Sequence, residues 1–410
     1  VFINCMEALT ANRKHNEARA LLNAGLKESA QRQTAATAPA YVPTKPYVFP
    51  AVDGNMTYHT SWGSHGVKEE AETILSVLSS FRLRSTLAKI NQGPRLTQYV
   101  IEPAPGTQVQ SILRREKEFQ AALHCNASLR FDNGYVYIEV PTGTETVFLG
   151  DMLIDNAFQS SDGFTMAIGM AVDGSKHYID IAKACHILIS GMTGSGKSIV
   201  LHNLILSLLM KKNPAQMHLY IIDPKATEFE YYKNLAACTV VSEVNGAVEL
   251  LKNLCIEMDR RYSVLASTGC RDIDSYNAKF ADAPMRRDIV FIDELSDLMS
   301  MGGKSFEGHI VRIAQKARAC GIHLVIATQY PVAKVVTGLI KANMPTKICL
   351  RVSTVTNSMV ALDMAGGEKL MGHGDMLFLP NGSLSPVRLQ GGFVSETAIN
   401  NVVAGLMKNQ

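Results

Sequence analysis

Residues 186–200 read HILISGMTGSGKSIV, and no other stretch limits the possible folds so tightly. The apolar run from His186 to Ser190 predicts a short buried strand. Gly191-Met192-Thr193-Gly194-Ser195-Gly196-Lys197-Ser198 then fills every fixed position of the pattern G-x-x-x-x-G-K-[ST]. Leucine-rich sequence from Ile199 to Met210 predicts a helix. Strand, glycine loop and helix in that order form the setting in which the pattern cradles phosphate. Glycines let the backbone curl and point its N–H groups at phosphate oxygens. The helix that begins there adds the positive end of its dipole. Lys197 is expected to reach the β- and γ-phosphates and the Ser198 hydroxyl to bind Mg²⁺. An ordinary glycine turn is the competing reading. The filled positions in their strand-to-helix context weigh against it.

The chain has 410 residues, enough for two or three domains. Its net charge of +3 neither demands nor excludes nucleic acid, so any DNA-binding surface must be a local patch. Its 8 cysteines are scattered, and none forms a C-x-x-C pair, which argues against zinc or thioredoxin-type chemistry. They read as small buried residues of a reducing compartment. No apolar run is long enough to span a bilayer, and no signal peptide is visible. The chain begins with Val1, as a processed chain or a fragment of a longer one would.

Three stretches differ in character. Residues 3–33 read as a polar helix, and residues 34–50 as an extended linker rich in Ala, Thr and Pro. Together they set the expected bounds of an N-terminal region, 1–63. Helical periodicity from Val67 to Phe81 comes next. Strand-like alternation follows over Leu96–Glu102 and Tyr135–Val140, with a turn at Asp132-Asn133-Gly134. This predicts a small α+β domain over 64–160. From there to residue 410 short apolar strands alternate with helices: His186–Ser190, His218–Ile222, Thr239–Val241, Ile289–Asp293, Ile322–Thr328, Lys347–Val352 and Asp375–Leu379. Such alternation predicts an α/β fold with a doubly wound, mostly parallel sheet. Active sites in such sheets lie at the carboxyl ends of the strands.

The remaining chemical signals fall at strand ends. Ile289-Val290-Phe291-Ile292 leads into Asp293-Glu294. Asp293 is expected to hold Mg²⁺, and Glu294 to orient and activate the attacking water. Ile322–Thr328 ends beside Gln329, and Thr328 and Gln329 are candidate sensors of the γ-phosphate; a turn after a core strand is the alternative. Arg318 sits at the tail of a helix, where a basic residue also serves as a dipole partner. Its functional reading is a finger into the nucleotide of a neighbouring subunit, which requires an oligomeric ring. Asp223-Pro224-Lys225 also lies at a strand end, and Asp-Pro favours a plain turn.

Taken together, these residues resemble the motor region of the FtsK/SpoIIIE DNA translocases. The resemblance spans about 64–395 and rests on GMTGSGKS at 191–198, IIDPKATEFE at 221–230, VFIDELSDLM at 290–299, IVRIAQKARACGIHLVIATQ at 310–329, VVTGLIKANMPTK at 335–347 and AGGEKLMGHGDML at 365–377. GPRLTQYVIEPAPGT at 93–107 looks like the family's small α domain, which precedes a RecA-like phosphate-loop ATPase domain. The resemblance implies an ATP- and Mg²⁺-dependent motor, a homo-oligomeric, hexameric ring around double-stranded DNA. By position, Lys197 and Ser198 hold phosphate and metal, Asp293 and Glu294 form the catalytic pair, Gln329 is the sensor and Arg318 the trans-acting finger. Lys341 falls on a loop the family turns toward DNA, where it would touch phosphate without reading bases.

The chain departs from the family in that loop region. Tyr330 stands where the family has arginine. The segment 352–360, VSTVTNSMV, has no basic residue where the family carries two, the gaps falling at Val355 and Met359. Three phosphate contacts are therefore expected to be missing. The family's transmembrane helices before residue 64 and its winged-helix module after Gln410 are expected to be absent from this chain, and translocation without sequence-set direction is expected of it. Its expected location is the cytoplasm, with no membrane contact of its own, or a tether to the inner membrane through a longer chain. Two other readings stay open. One is a secretion or conjugation coupling ATPase that moves single-stranded DNA or protein. The other is a nucleotide-dependent ring scaffold.

Overall fold

The computed structural model describes residues 49–50, 52, 66–141, 143 and 145–408. The helix expected over 3–33 and nearly all of the linker expected over 34–50 lie outside them.

Two sheets organise the described residues. The smaller contains β1 (Ser85–Gln92), β2 (Leu96–Pro103), β3 (Ser128–Asp132) and β4 (Tyr135–Pro141), antiparallel throughout in the order β1-β2-β4-β3. The β3–β4 hairpin turns at Asn133 (φ 49°) and Gly134 (φ 87°). Two successive positive φ values match the strand twist, and Asn-Gly adopts them at little cost. Val136, Ile138 and Val140 of β4 pack with Ile74 and Leu78 of the helix Val67–Ser80 and Phe119 of the helix Glu116–Leu123.

The larger sheet has ten strands: β5 (Thr165–Ala171), β6 (Lys176–Asp180), β7 (Ile187–Ser190), β8 (Met217–Ile222), β9 (Cys238–Val241), β10 (Arg287–Ile292), β11 (Ile322–Thr328), β12 (Thr346–Leu350), β13 (Asp375–Leu379) and β14 (Val387–Gln390). Their order is β6-β5-β14-β13-β12-β7-β11-β10-β8-β9. From β12 to β9 all neighbours are parallel. From β6 to β12 all are antiparallel. The antiparallel wing adds β5, β6 and β14 to the strands expected from sequence. β5 is buried at every position, so it carries no alternation to betray it.

Helices cover both faces, as a doubly wound sheet requires. The helix Lys197–Leu209 packs into one core, while the helices Val244–Thr268 and Leu295–Lys316 fill the other. Residues 149–159, assigned to the small domain from sequence, bury Leu149, Met152, Leu153 and Phe158 in the first of these larger cores. A buried guanidinium joins the two sheets. Arg388 of β14 donates through Nε to Asp375 Oδ1 at 3.0 Å and through its terminal nitrogens to Asp375 Oδ2 and Glu139. Burial pushes the Glu139 carboxyl up, but Arg388 and Arg130 prevail and hold it below the usual range. Glu116 in the small unit also pairs with Lys369 at 2.6 Å.

Candidate nucleotide site

The parallel register brings the carboxyl ends of β7, β10 and β11 side by side, and the sequence signals sit on those ends. Gly194 (φ 77°) and Gly196 (φ 100°) supply the left-handed turns of the loop after β7. Gly196 is also crowded: a Cβ there would lie 2.6 Å from Gly374 N. The loop is tied to the next strands by Gly191 N–H to Thr328 O (3.1 Å) and Met192 N–H to Arg351 O (2.8 Å).

Lys197 opens the following helix, and its ammonium is buried. It donates to the Asp293 carbonyl and to Asp293 Oδ1 at 2.7 Å. An ammonium has three N–H donors, so one is left for a phosphate oxygen. Glu294 is 1% exposed and caps the helix Leu295–Lys316. Its carboxylate accepts from Ser296 Oγ (2.7 Å), Thr328 Oγ1 (2.9 Å) and Gln329 N–H (3.0 Å). These bonds hold the oxygens in one orientation, as a positioned base requires. The Gln329 side chain instead receives Thr193 Oγ1 at 2.9 Å, which joins β11 to the phosphate loop. Lys197, Asp293, Glu294, Thr328, Gln329 and Thr193 thus form one bonded set.

Glu228, which was not singled out from the sequence, lies beside this set and hydrogen-bonds Ser198 of the phosphate loop. Asp223 is fully buried and accepts five backbone N–H groups, from Lys225 through Phe229, at 3.1–3.3 Å. That tight loop, with Ala226 at φ 52°, is the turn Asp-Pro promised, and it delivers Glu228 to the phosphate loop. Burial raises the Glu228 carboxyl above its usual range, reinforced by Asp293 and Asp223; Lys197 and a hydrogen bond to Ser198 act in the opposite direction. The signal available in sequence was the acidic ATEFE run after Asp223. Ser198 and Asp293 offer the hard oxygen donors that Mg²⁺ prefers, and that ion normally completes its shell with water and phosphate oxygens. Among the described residues no group of three or more His, Cys, Asp or Glu able to hold a metal occurs.

Two expected residues lie elsewhere. Arg318 is exposed before the amino end of β11, while Thr328 closes its far end. The seven residues of the strand span roughly 20 Å, beyond the reach of an arginine into its own site. Arg318 lines a surface cavity of about 550 Å³ with Lys183, Arg271 and Arg287. Lys341 lies on the short helix Gly338–Ala342. Its ammonium pairs with Asp363 Oδ1 at 2.6 Å and donates to Met359 O at 2.9 Å. Asn357 Nδ2 donates to Pro331 O, so the segments carrying Tyr330, Lys341, Val355 and Met359 converge. Tyr330, Leu339, Val355 and Met359 expose an apolar surface there, Tyr330 at 64%.

This arrangement defines a RecA-like phosphate-loop fold, with a bonded lysine, aspartate, glutamate and strand-end threonine at the loop. Residues 149–333 match the FtsK/SpoIIIE family model, and residues 54–142 match the FtsK alpha domain. The chain belongs to the FtsK/SpoIIIE family. It is 39% identical over 377 residues to the DNA translocase SftA of Bacillus subtilis, covering 87% of this chain and 39% of that protein. It is 40% identical over 351 residues to the DNA translocase FtsK of Caldanaerobacter subterraneus, covering 83% and 49%. The chain therefore spans half or less of the length of these relatives. Among solved structures, the pCW3 conjugation coupling protein TcpA with ATPγS superposes with a TM-score of 0.60 at 25% identity, over 83% of this chain and 99% of that one. The cytoplasmic domain of the Thermomonospora curvata type VII secretion ATPase EccC shares the fold, with a TM-score of 0.56 at 22% identity over 65% of this chain and 34% of that one. Among the described residues no helix is long and apolar enough to cross a membrane.

Proposed function

We propose that the chain is the motor of an ATP-driven double-stranded DNA translocase, working as a homo-oligomeric, hexameric ring. The observation that carries this reading is the bonded set of Lys197, Asp293, Glu294 and Thr328 at adjoining strand ends, in a chain similar to DNA translocases over most of its length. In this reading the phosphate loop and Lys197 hold the ATP phosphates. Ser198 and Asp293 would hold Mg²⁺, whose positive charge would offset that of the phosphates. Glu294 takes a proton from the attacking water as its oxygen bonds the γ-phosphorus and the bond to the β-phosphate breaks, giving ADP and phosphate. Thr328 and the Gln329 backbone keep Glu294 aimed, so a shift of β11 on phosphate release would be felt at once. Arg318 acts on the neighbouring subunit's nucleotide, which its distance from the local site supports.

Lys341 serves DNA phosphate without reading sequence. Its pairing with Asp363 and the apolar neighbours Tyr330, Val355 and Met359 support a weak grip. The same apolar surface, with the likeness to a conjugation coupling protein, favours one second reading: a coupling ATPase for single-stranded DNA or protein. Displacement of a third strand from a linear duplex separates the two. The translocase reading expects ATP-dependent displacement that is lost in Glu294→Gln. Absence of displacement with turnover stimulated by single strands would move the assignment to the second reading.

A further inference from the structure

The small unit carries a concentration of cations that the nucleotide site does not use. Residues 81–84 read FRLR, and residues 113–117 read LRREK. The fold brings the two runs together: the Arg115 guanidinium lies 4.2 Å from the centre of the Phe81 ring. Arg82 and Arg84 are exposed on one side of this contact, Arg114 and Lys117 on the other. Each lies within three residues of it, and so within about 11 Å along the chain. Carboxylates nearby do little to offset them. Glu118 pairs with Arg115 at 2.9 Å, and Glu116 turns away to Lys369 at 2.6 Å. Glu102, opposite Thr86 in the β1–β2 ladder, is the third carboxylate of these segments. Glu69 and Glu70 sit in the first turn of the helix Val67–Ser80, roughly 20 Å from its far end by helical rise. Among the described residues no side-chain hydrogen bond or ion pair holds Arg82, Arg84 or Arg114.

The backbone at Arg82 gives a second, independent sign. The helix Val67–Ser80 closes with Arg82 N–H on Ser79 O and Leu83 N–H on Leu78 O, both at 2.9 Å. In this closure the residue at Arg82's place adopts a left-handed backbone, and glycine is its usual occupant. Arg82 adopts it with φ 56°, which strains a residue that has a Cβ. Its side chain is exposed, so burial in the core does not repay that strain. Strained positions of this kind gather where a side chain serves a function. A favourable partner for the helix dipole accounts for one cation at a helix end, not for five.

From these observations we infer that Arg82, Arg84, Arg114, Arg115 and Lys117 form a docking surface on the small unit for the phosphate backbone of duplex DNA, separate from the segments around Lys341. The inference rests on the reading of duplex DNA as what the chain handles, and adds a place where it is held. Four of the five cations are arginines, whose planar forks match phosphate oxygens in bidentate pairs. Long side chains meet a phosphate backbone from loosely fixed positions, so charge density decides the fit more than fixed angles do. Arg115 covers one face of Phe81, which leaves that face unable to stack on an unpaired base. The helix Val67–Ser80 buries Ala71, Ile74 and Leu78 in the small core, so its apolar side is not offered to a membrane. Duplex DNA is the polyanion that fits what remains.

The test is fluorescence anisotropy of a labelled random-sequence duplex, titrated with the purified chain over a series of salt concentrations. It compares wild type with Arg82→Gly, Arg84→Gln, Arg114→Gln and the triple variant. Each single substitution should make the log–log salt slope shallower by about 0.9, and the triple variant by about 2.7. The loss should be the same for AT-rich and GC-rich duplexes, because phosphate contacts carry no sequence information. Arg82→Gly should melt no lower than wild type, since glycine suits that backbone, so its weaker binding is not a folding defect. Lys233→Gln removes an exposed cation elsewhere and should leave the slope unchanged. A triple variant with the wild-type slope would overturn the inference, and its loss of binding to phosphatidylserine vesicles would then assign the patch to a membrane. A change in Lys233→Gln as large as in the single patch variants would also overturn it. Failure of wild type to bind duplex even at low salt would instead defeat the DNA reading beneath it.

Discussion

Two loop clusters of this chain meet different standards of completeness. At the phosphate loop the charged and strand-end candidate groups are bonded to one another: Lys197 to Asp293, Glu294 to Thr328 and Gln329, Thr193 to the Gln329 side chain. In the cluster around Lys341 the lysine is paired with Asp363, and its neighbours Tyr330, Val355 and Met359 are exposed and uncharged. In the proposed motor the first cluster must place a proton acceptor within hydrogen-bond reach of a water, so a small displacement is costly. In the proposed motor the second has only to meet a phosphate backbone, a contact that long side chains make loosely. Chemistry and grip are thus separable in one fold, and substitutions can weaken grip while the chemical end stays intact.

The sharpest way to break that separation is at Glu294. Glu294→Gln keeps the shape and some hydrogen bonds but removes the base, and ATP turnover should fall about 10²–10⁴-fold. Nucleotide binding, measured by titration, should change little. A variant that turns over at near wild-type rate would show that the bonded set is structural.

A second prediction concerns the foundation under the first cluster. His186 leads into β7, and His323 lies on β11. Burial lowers His186 to about 4, with Arg318 adding a smaller push. Burial, then His186 and Arg287, lowers His323 to about 3. Leu324 N–H donates to His186 Nδ1 at 3.0 Å, a bond only the unprotonated nitrogen accepts. The folded pKa values lie below the unfolded value near 6.5, so the unfolded chain binds more protons on acidification. Stability is full above pH ~6.5 and falls as pH drops toward the folded values, at about 1.4 kcal/mol per unit for each histidine. Melting at pH 7.5 and at pH 5.0 checks this. A melting temperature that holds across the interval would contradict the buried neutral pair.

What the sequence made legible follows from the range over which each signal acts. The phosphate loop, the Asp293-Glu294 pair and the strand before Gln329 are contiguous runs, and six parallel strands follow from apolar segments of ordinary length. Glu228 was not legible, because its place depends on Asp223 gathering five amides into a loop with Ala226 left-handed. Nor was the link between the sheets: Arg388 meets Glu139 across 249 residues, a pairing that local periodicity does not encode. Arg95 is a further instance, reaching the loop at 372–373 from a hairpin of the small sheet. β5 was hidden by complete burial, which erases alternation.

The smallest expected effect sharpens the second cluster. On the expectation that three basic contacts are replaced at 330, 355 and 359, the log–log salt slope of duplex binding should be shallower than that of fully basic relatives by about 0.9 per lost contact. Tyr330→Arg and Met359→Lys should each steepen it by about the same amount, provided the introduced group reaches phosphate. ATP turnover without DNA should be unaffected. A wild-type slope equal to that of fully basic relatives would show that Tyr330 or other groups already supply the grip.

Steady-state ATP hydrolysis with and without linear double-stranded DNA, in wild type and Glu294→Gln, tests the central claim most directly. The account predicts that duplex DNA raises turnover severalfold at low salt, that this gain fades as salt is raised, and that Glu294→Gln shows neither basal nor stimulated activity. Turnover that is the same with and without duplex at every salt concentration would contradict it.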